Sequence, residues 1–179
     1  MPGDGGLIPL EIVGVRVELP SNQPIVLLRE TDGTRYLPIW IGASEATAIA
    51  TAMEGVQPPR PLTHDLMRSV IDAVGALAVR IVITEMRDSV FYADLALDMS
   101  GEEVEISSRP SDAIALAVRT GTPVFAAQAL LDEAGIHFEE ETREEDEVAR
   151  FREFLEEVTV EDFLGDEPSS SGDDPPAQS

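Results

Sequence analysis

Two stretches of the chain, 8–55 and 77–121, carry the same order of signals: three β-patterned runs, a helix of small and apolar residues, then a glycine. In the first, Ile8 to Leu19 (IPLEIVGVRVEL) alternates apolar and polar residues, the period of a half-buried strand. Pro20-Ser21-Asn22-Gln23 breaks it, Pro24 to Arg29 resumes, and Thr31-Asp32-Gly33 signals a hairpin into Tyr36 to Ile41. A helix is expected from Ser44 to Glu54, stopped by Gly55. After the turn QPPRP, Thr63 opens a second helix reaching Val74, closed by Gly75. The second stretch repeats the strand signals at Leu77–Glu85, Val90–Leu97 and Glu103–Ile106, with a helix Ser111–Arg119 ended by Gly121. A short strand at Pro123–Ala126 and a short helix at Gln128–Ala134 follow.

This pattern predicts an α+β domain with a mixed sheet packed with helices, built from duplicated strand-strand-strand-helix units. Ser44-Glu45-Ala46 aligns with Ser111-Asp112-Ala113 at a period of about 67 residues, the length of half a domain rather than of a solenoid repeat. The expected boundaries are 1–137 for this domain, 138–164 for an acidic helical extension, and 165–179 for a disordered tail of Pro, Ser and Asp. Within the extension, Val148, Phe151, Leu155 and Val158 fall on one helical face.

Charge narrows the functions available. The net charge of −23 opposes ordinary nucleic-acid binding, which rests on Lys and Arg contacts to phosphate. From Asp132 onward, however, 18 acids face three arginines, which leaves only about −8 on residues 1–131. Lysine is absent, so all twelve basic residues are arginine, the better bidentate partner for phosphate. With no cysteine there is no disulfide, thiolate nucleophile or zinc-thiolate site. No segment approaches the roughly 20 apolar residues that span a bilayer, and the N-terminus lacks a signal-peptide pattern. No membrane association is expected, and the expected compartment is the cytoplasm.

Two stretches could carry chemistry, RPLTHDL at 60–66 and SRPSDAIALA at 108–117. In each, Arg-Pro precedes a hydroxyl, an acid and an apolar helix. Helix capping explains much of this: Thr63 and Ser111 (or Ser108) as N-caps, with Asp65 and Asp112 in the first turn. It does not explain Arg60 and Arg109, because a cation near a helix N-terminus is opposed by the helix dipole. Those arginines need an anion, either a carboxylate of the chain or a phosphate. On the functional reading, Glu45, Asp65 and Asp112 would hold Mg²⁺ or Mn²⁺, and His64 would act as base or ligand. Arg60, Thr63, Arg109 and Ser111 would then hold the substrate phosphate. His137, with no paired histidine, reads as a solvated or capping group, and Trp40 and Tyr36 as sheet residues. No GxSxG, Walker-A or GxGxxG pattern is present to support acyl-transfer or nucleotide-loop chemistry.

In order and spacing, LPIWIGASEATAIA, RPLTHDL, FYADLAL and SRPSDAIALAVRTGTPVFA resemble the bifunctional nuclease domain family, over roughly Leu10 to Gly135. The resemblance implies an α+β domain that self-associates, with a dimer favoured, and that cleaves both DNA and RNA. Its matching polar positions are Glu45, Arg60, Thr63, His64, Asp65, Arg109, Ser111 and Asp112. Two functions are therefore expected to compete. One is a nuclease without strong sequence specificity, metal-assisted, with Glu45, His64, Asp65 and Asp112 at the reacting centre. The other is a non-catalytic regulatory module that binds a small anion or a protein partner at its helix N-termini. The acidic tail adds a third idea, that it imitates nucleic acid and occupies the site.

Overall fold

The computed structural model describes residues 6–137, which belong to one unit of the chain, Met1–Phe138. The extension and tail expected at 138–164 and 165–179 lie outside the described residues. The first half comprises β1 (Leu7–Glu18), β2 (Gln23–Glu30), β3 (Arg35–Trp40), α1 (Ala43–Met53) and α2 (Thr63–Ala73). The second comprises β4 (Leu77–Arg87), β5 (Val90–Met99), β6 (Glu102–Ser108), α3 (Pro110–Thr120), β7 (Val124–Ala127), α4 (Gln128–Ala134) and β8 (Ile136–His137). The fold is α+β, with a mixed sheet of eight strands in the order β6-β5-β4-β7-β1-β2-β3-β8.

Each half contributes an antiparallel three-stranded meander followed by a helix, the order read from the sequence. Between the meanders lies β7, parallel to β4 and antiparallel to β1. The first half adds α2, and the second adds β7, α4 and β8, which a doubled three-strand unit does not contain. Strand alternation sets the core face. Val26, Leu28, Leu37, Ile39, Ile81, Ile83, Val124 and Ala126 are buried, while their sheet neighbours Ile25, Leu27, Tyr36, Pro38, Val82 and Phe125 stay part-exposed. Edge strand β6 carries Glu102, Glu103 and Glu105, charges that discourage pairing with another sheet.

Helix α3 is the most deeply placed element, with Pro110, Ser111 and Ala113 to Ala117 all buried. Ile114 and Leu116 are fully removed from water, which stabilises the fold by roughly 1.5–3 kcal/mol each. Its alanines let neighbouring backbones approach closely, and α3 packs against both α1 and α2 as well as β4 and β5. Glycines in the left-handed region follow all three of these helices: Gly55 (φ 67°), Gly75 (φ 73°) and Gly121 (φ 71°). An L side chain at those positions would be strained, which is why glycine reads so clearly as a stop.

Candidate functional site

Three helices begin near one another, and each carries an acid at its third position: Glu45 in α1, Asp65 in α2 and Asp112 in α3. The N-caps are Gly42, Leu62 and Arg109, none with a side-chain cap bond. The capping roles expected of Thr63 and Ser111 are therefore not taken up. Thr63 is the first helical residue and Ser111 the second, following Pro110, whose fixed φ suits the first turn. Part of the capping work falls to Asp65, whose Oδ2 accepts the Leu62 N–H at 2.9 Å.

Arg109 joins two of these acids. Its Nε donates to Asp112 Oδ2 at 2.7 Å, its Nη2 to Asp112 Oδ1 at 3.1 Å, and its Nη1 to Glu45 Oε1 at 3.0 Å. The anion that Arg109 needs is thus supplied by the chain itself. Its side chain is nevertheless 64% exposed, so the outer face of the guanidinium remains open. Glu45 folds back over Gly42, where a Cβ would stand 2.2 Å from Glu45 Oε2. Glycine at this N-cap leaves room for the carboxylate to turn toward Arg109.

Behind Arg109 sits His64, buried at the second position of α2, with Nε2 3.0 Å from Asp112 Oδ1. Burial pushes the Asp112 carboxyl up, but the hydrogen bonds and charges of Arg109 and His64 reverse this and hold it below the ordinary aspartate value. An ionised Asp112 can only accept, so His64 Nε2–H is the donor in this contact.

Asp65 takes a different partner. Arg119, in the last turn of α3, donates from Nε to Asp65 Oδ1 at 2.6 Å, and from Nη1 to the carbonyls of Ala48 (3.1 Å) and Ala115 (2.8 Å). The Arg119 side chain is only 6% exposed. Its hydrogen bond, with that of the Leu62 amide, holds the Asp65 carboxyl below its ordinary range.

An open cleft of about 540 Å³ adjoins this network. The starts of α1 and α3 meet there with the β4–β5 turn and the ends of β2 and β3, so Glu45, Arg109 and Ser111 line it. His64, Asp65, Asp112, Arg60 and Thr63 do not line it. Arg60 and Thr63 are exposed at the entry to α2, and Arg60 makes no ion pair among the described residues. The structure thus joins Glu45, Arg109, Asp112 and His64 into one chain of contacts, sets Ser111 beside them, and ties Asp65 to Arg119. Among the described residues no three His, Asp or Glu side chains form a group that could hold a metal ion. Glu45, Asp65 and Asp112 therefore do not fit a protein-made three-carboxylate cage for Mg²⁺ or Mn²⁺. His137 accepts or donates at Thr34 Oγ1 (3.1 Å) in exposed β8, far in kind from a reacting group.

Several participants escaped the sequence reading. Arg119 was visible only as a cation closing a helix, where the dipole alone accounts for it. Gly42, between the third β-patterned run and the first helix, has no side chain to signal a role. Trp40, expected as a sheet residue, stands half-exposed at the end of β3 on the cleft, and Phe91 forms part of its wall.

The model of the bifunctional nuclease domain matches residues 26–139. The chain belongs to this family. The match takes in every residue of the network just described. An uncharacterized protein of Mycobacterium tuberculosis (strain ATCC 25618 / H37Rv) is 48% identical over 161 residues, covering 86% of this chain and 96% of its own length. Bifunctional nuclease 2 of Oryza sativa subsp. japonica is 30% identical over 134 residues, covering 73% of this chain and 41% of the rice protein. Bifunctional nuclease 1 of Arabidopsis thaliana is 31% identical over 108 residues, covering 58% of this chain and 33% of its own length. This bifunctional nuclease domain thus spans less than half of each of those plant proteins. No helix among the described residues is long and apolar enough to cross a membrane.

Proposed function

We propose that the protein is a nuclease that hydrolyses phosphodiester bonds of DNA and RNA without strong sequence specificity. The observation that carries this reading is Arg109, clamped by Asp112 and Glu45 yet open on its outer face at the rim of the cleft. Phosphodiester hydrolysis requires a fixed cation for the charge that builds on phosphate, and a base for the attacking water. Arg109 and Ser111 hold the phosphate. Glu45, the carboxylate that lines the cleft, takes the proton from water. Asp112, backed by His64, fixes the guanidinium, and Asp65 holds the start of α2 that carries His64. Arg60 and Thr63, exposed at the entry to α2, extend the path of the strand. Mg²⁺ or Mn²⁺ is the expected cofactor class; such ions commonly bind through one or two carboxylates together with substrate phosphates. The family membership and the plant relatives named as nucleases support the same reading. Its expected setting is the cytoplasm.

Cleavage of labelled single-stranded DNA and RNA with Mg²⁺, with Mn²⁺ and with chelator tests it, beside Glu45→Gln and Arg109→Ala variants whose fold is checked by circular dichroism. Loss of a general base or of a phosphate clamp lowers the rate roughly 10²–10⁴-fold. Cleavage by either folded variant at the wild-type rate would overturn the assignment. One observation favours a second reading, a non-catalytic anion-binding module: every N-terminal acid of the three helices is already paired with an arginine. Stabilisation by phosphate with no hydrolysis under any metal condition would select it.

The expected dimer belongs to the same proposal. Helix α2 buries only His64 and Ile71, leaving Leu66, Val70 and Val74 exposed at a spacing of four, with Leu62 before them. Such a stripe on a helix face is the form of a contact with another chain.

A further inference from the structure

Resting on the nuclease reading of the cleft, we propose that the site takes one unpaired nucleotide at a time. The base lies against the apolar wall and the phosphate on Arg109 and Ser111, so single strands and frayed ends are substrates and continuous duplex is not. The cleft has the size of sites that enclose one small molecule. Its charged groups, Glu45 and Arg109, lie with Ser111 where α1 and α3 begin, while Pro24, Ile39, Val90 and Phe91 form an apolar wall edged by Gln23 and Ser89. That division matches a nucleotide, with an anion at one end and a flat apolar ring at the other.

Two further observations point to a ligand here. Ser111 is 7% exposed, lines the cleft, and its hydroxyl has no hydrogen-bond partner among the described residues. No sealed side-chain oxygen or nitrogen among those residues lacks a partner, so the Ser111 hydroxyl opens onto the cleft. At the rim, the half-exposed Trp40 indole is fixed by its Nε1–H, which donates to Glu18 Oε2 at 3.0 Å. An aromatic ring held in place and left open to solvent is a stacking platform that accepts any base.

Electrostatics excludes the alternative of a duplex surface. A protein that follows a duplex needs a basic track along its phosphates. Of the nine arginines among the described residues, seven are in ion pairs with the chain's own acids. Among the described residues, the surface therefore offers anchoring for one or two phosphates. Single-strand affinity should then fall with salt at a log–log slope of about −1, far shallower than a six-contact interface would give.

Trp40 is the single tryptophan of the chain, so its fluorescence reports on the cleft directly. The full-length protein, in chelator, is titrated with a single-stranded DNA 10-mer and with the same sequence closed into a hairpin duplex. Cleavage of both is followed in parallel with metal. Saturable quenching by the single strand, at least tenfold weaker quenching by the duplex, and a shallow salt slope are expected. By anisotropy of a labelled 10-mer, Trp40→Ala should weaken binding roughly tenfold and Trp40→Phe should restore most of it. Equal affinity for both forms, absence of quenching by the single strand, or a slope steeper than about −4 would overturn the proposal. Single-strand-selective quenching with no cleavage would leave it standing and remove the nuclease reading. Equal cleavage of both forms would do the reverse.

Discussion

Replacing Arg119 by alanine should cost the fold about 2–3 kcal/mol while touching no group that lines the cleft. The side chain is 6% exposed and makes three hydrogen bonds, to Asp65 at 2.6 Å, Ala115 O at 2.8 Å and Ala48 O at 3.1 Å. Removing one member of a fully buried pair typically costs about 3–5 kcal/mol, because the remaining charge is stranded. Asp65 is 28% exposed and keeps the Leu62 amide, so water recovers part of that loss and the lower figure applies. For a domain of this size the melting temperature should fall by about 10 °C. Urea unfolding of Arg119→Ala, Asp65→Ala and the double variant measures the pair directly, with a coupling of at least about 1 kcal/mol expected. Arg119→Lys should recover less than half, since an ammonium cannot span a carboxylate and two carbonyls as a guanidinium does. A loss under about 1 kcal/mol for Arg119→Ala, or coupling below about 0.5 kcal/mol, would refute the view of Arg119 as the strut that sets the start of α2.

Asp94, on β5, has its carboxyl pushed above the ordinary value, first by burial and then by the charges of Glu105 and Glu85. A raised folded value means that its stabilising contribution is complete below the unfolded value near 3.8 and is lost as the pH rises through the folded one. Asp94→Asn should therefore stabilise the protein at pH 7 by roughly 0.5 kcal/mol, a gain that disappears below about pH 4; equal gains in urea midpoint at both pH values would refute it. On α2, Leu66→Glu with Val70→Glu should convert the expected dimer to a monomer by light scattering, because both side chains are more than half exposed and contribute little to the monomer core. An unchanged mass would remove this face as the contact.

Much of the fold was legible because its signals are local. A period of two with β-branched residues marks β1 to β5, and glycines with positive φ end α1, α2 and α3. The strand β8 was not legible. Ile136–His137 has no pattern of its own, and only pairing with Arg35 and Tyr36 makes it a strand. The caps shifted for a similar reason. Ser and Thr near a helix start are good N-caps in isolation, but Pro110 takes the first helical position of α3 and moves its cap back to Arg109.

At the site, the acids could be read from the sequence and their partners could not. Each acid lies three residues beyond its N-cap, where the helix dipole favours a negative charge whatever else it does. That local explanation is sufficient, so it hides the arginines that Glu45 and Asp65 take from a distant part of the chain, and the N-cap Arg109 that Asp112 shares with Glu45. Both arginines belong to α3: Arg109 at its start binds Glu45 and Asp112, and Arg119 in its last turn binds Asp65. Asp112 and Arg119 are seven residues apart, two helical turns, and so share one face of α3. Adjacent residues at the start of α2 meet the two ends of that face, His64 on Asp112 and Asp65 on Arg119. Ala115, lying between them, is small enough to let α2 approach and offers its carbonyl to Arg119. The spacing Asp-x₆-Arg was present in the sequence, but it acquires meaning only when α2 is packed along α3. One helix thus positions the cleft-lining arginine at one end and anchors, from the other, the histidine that stands behind it.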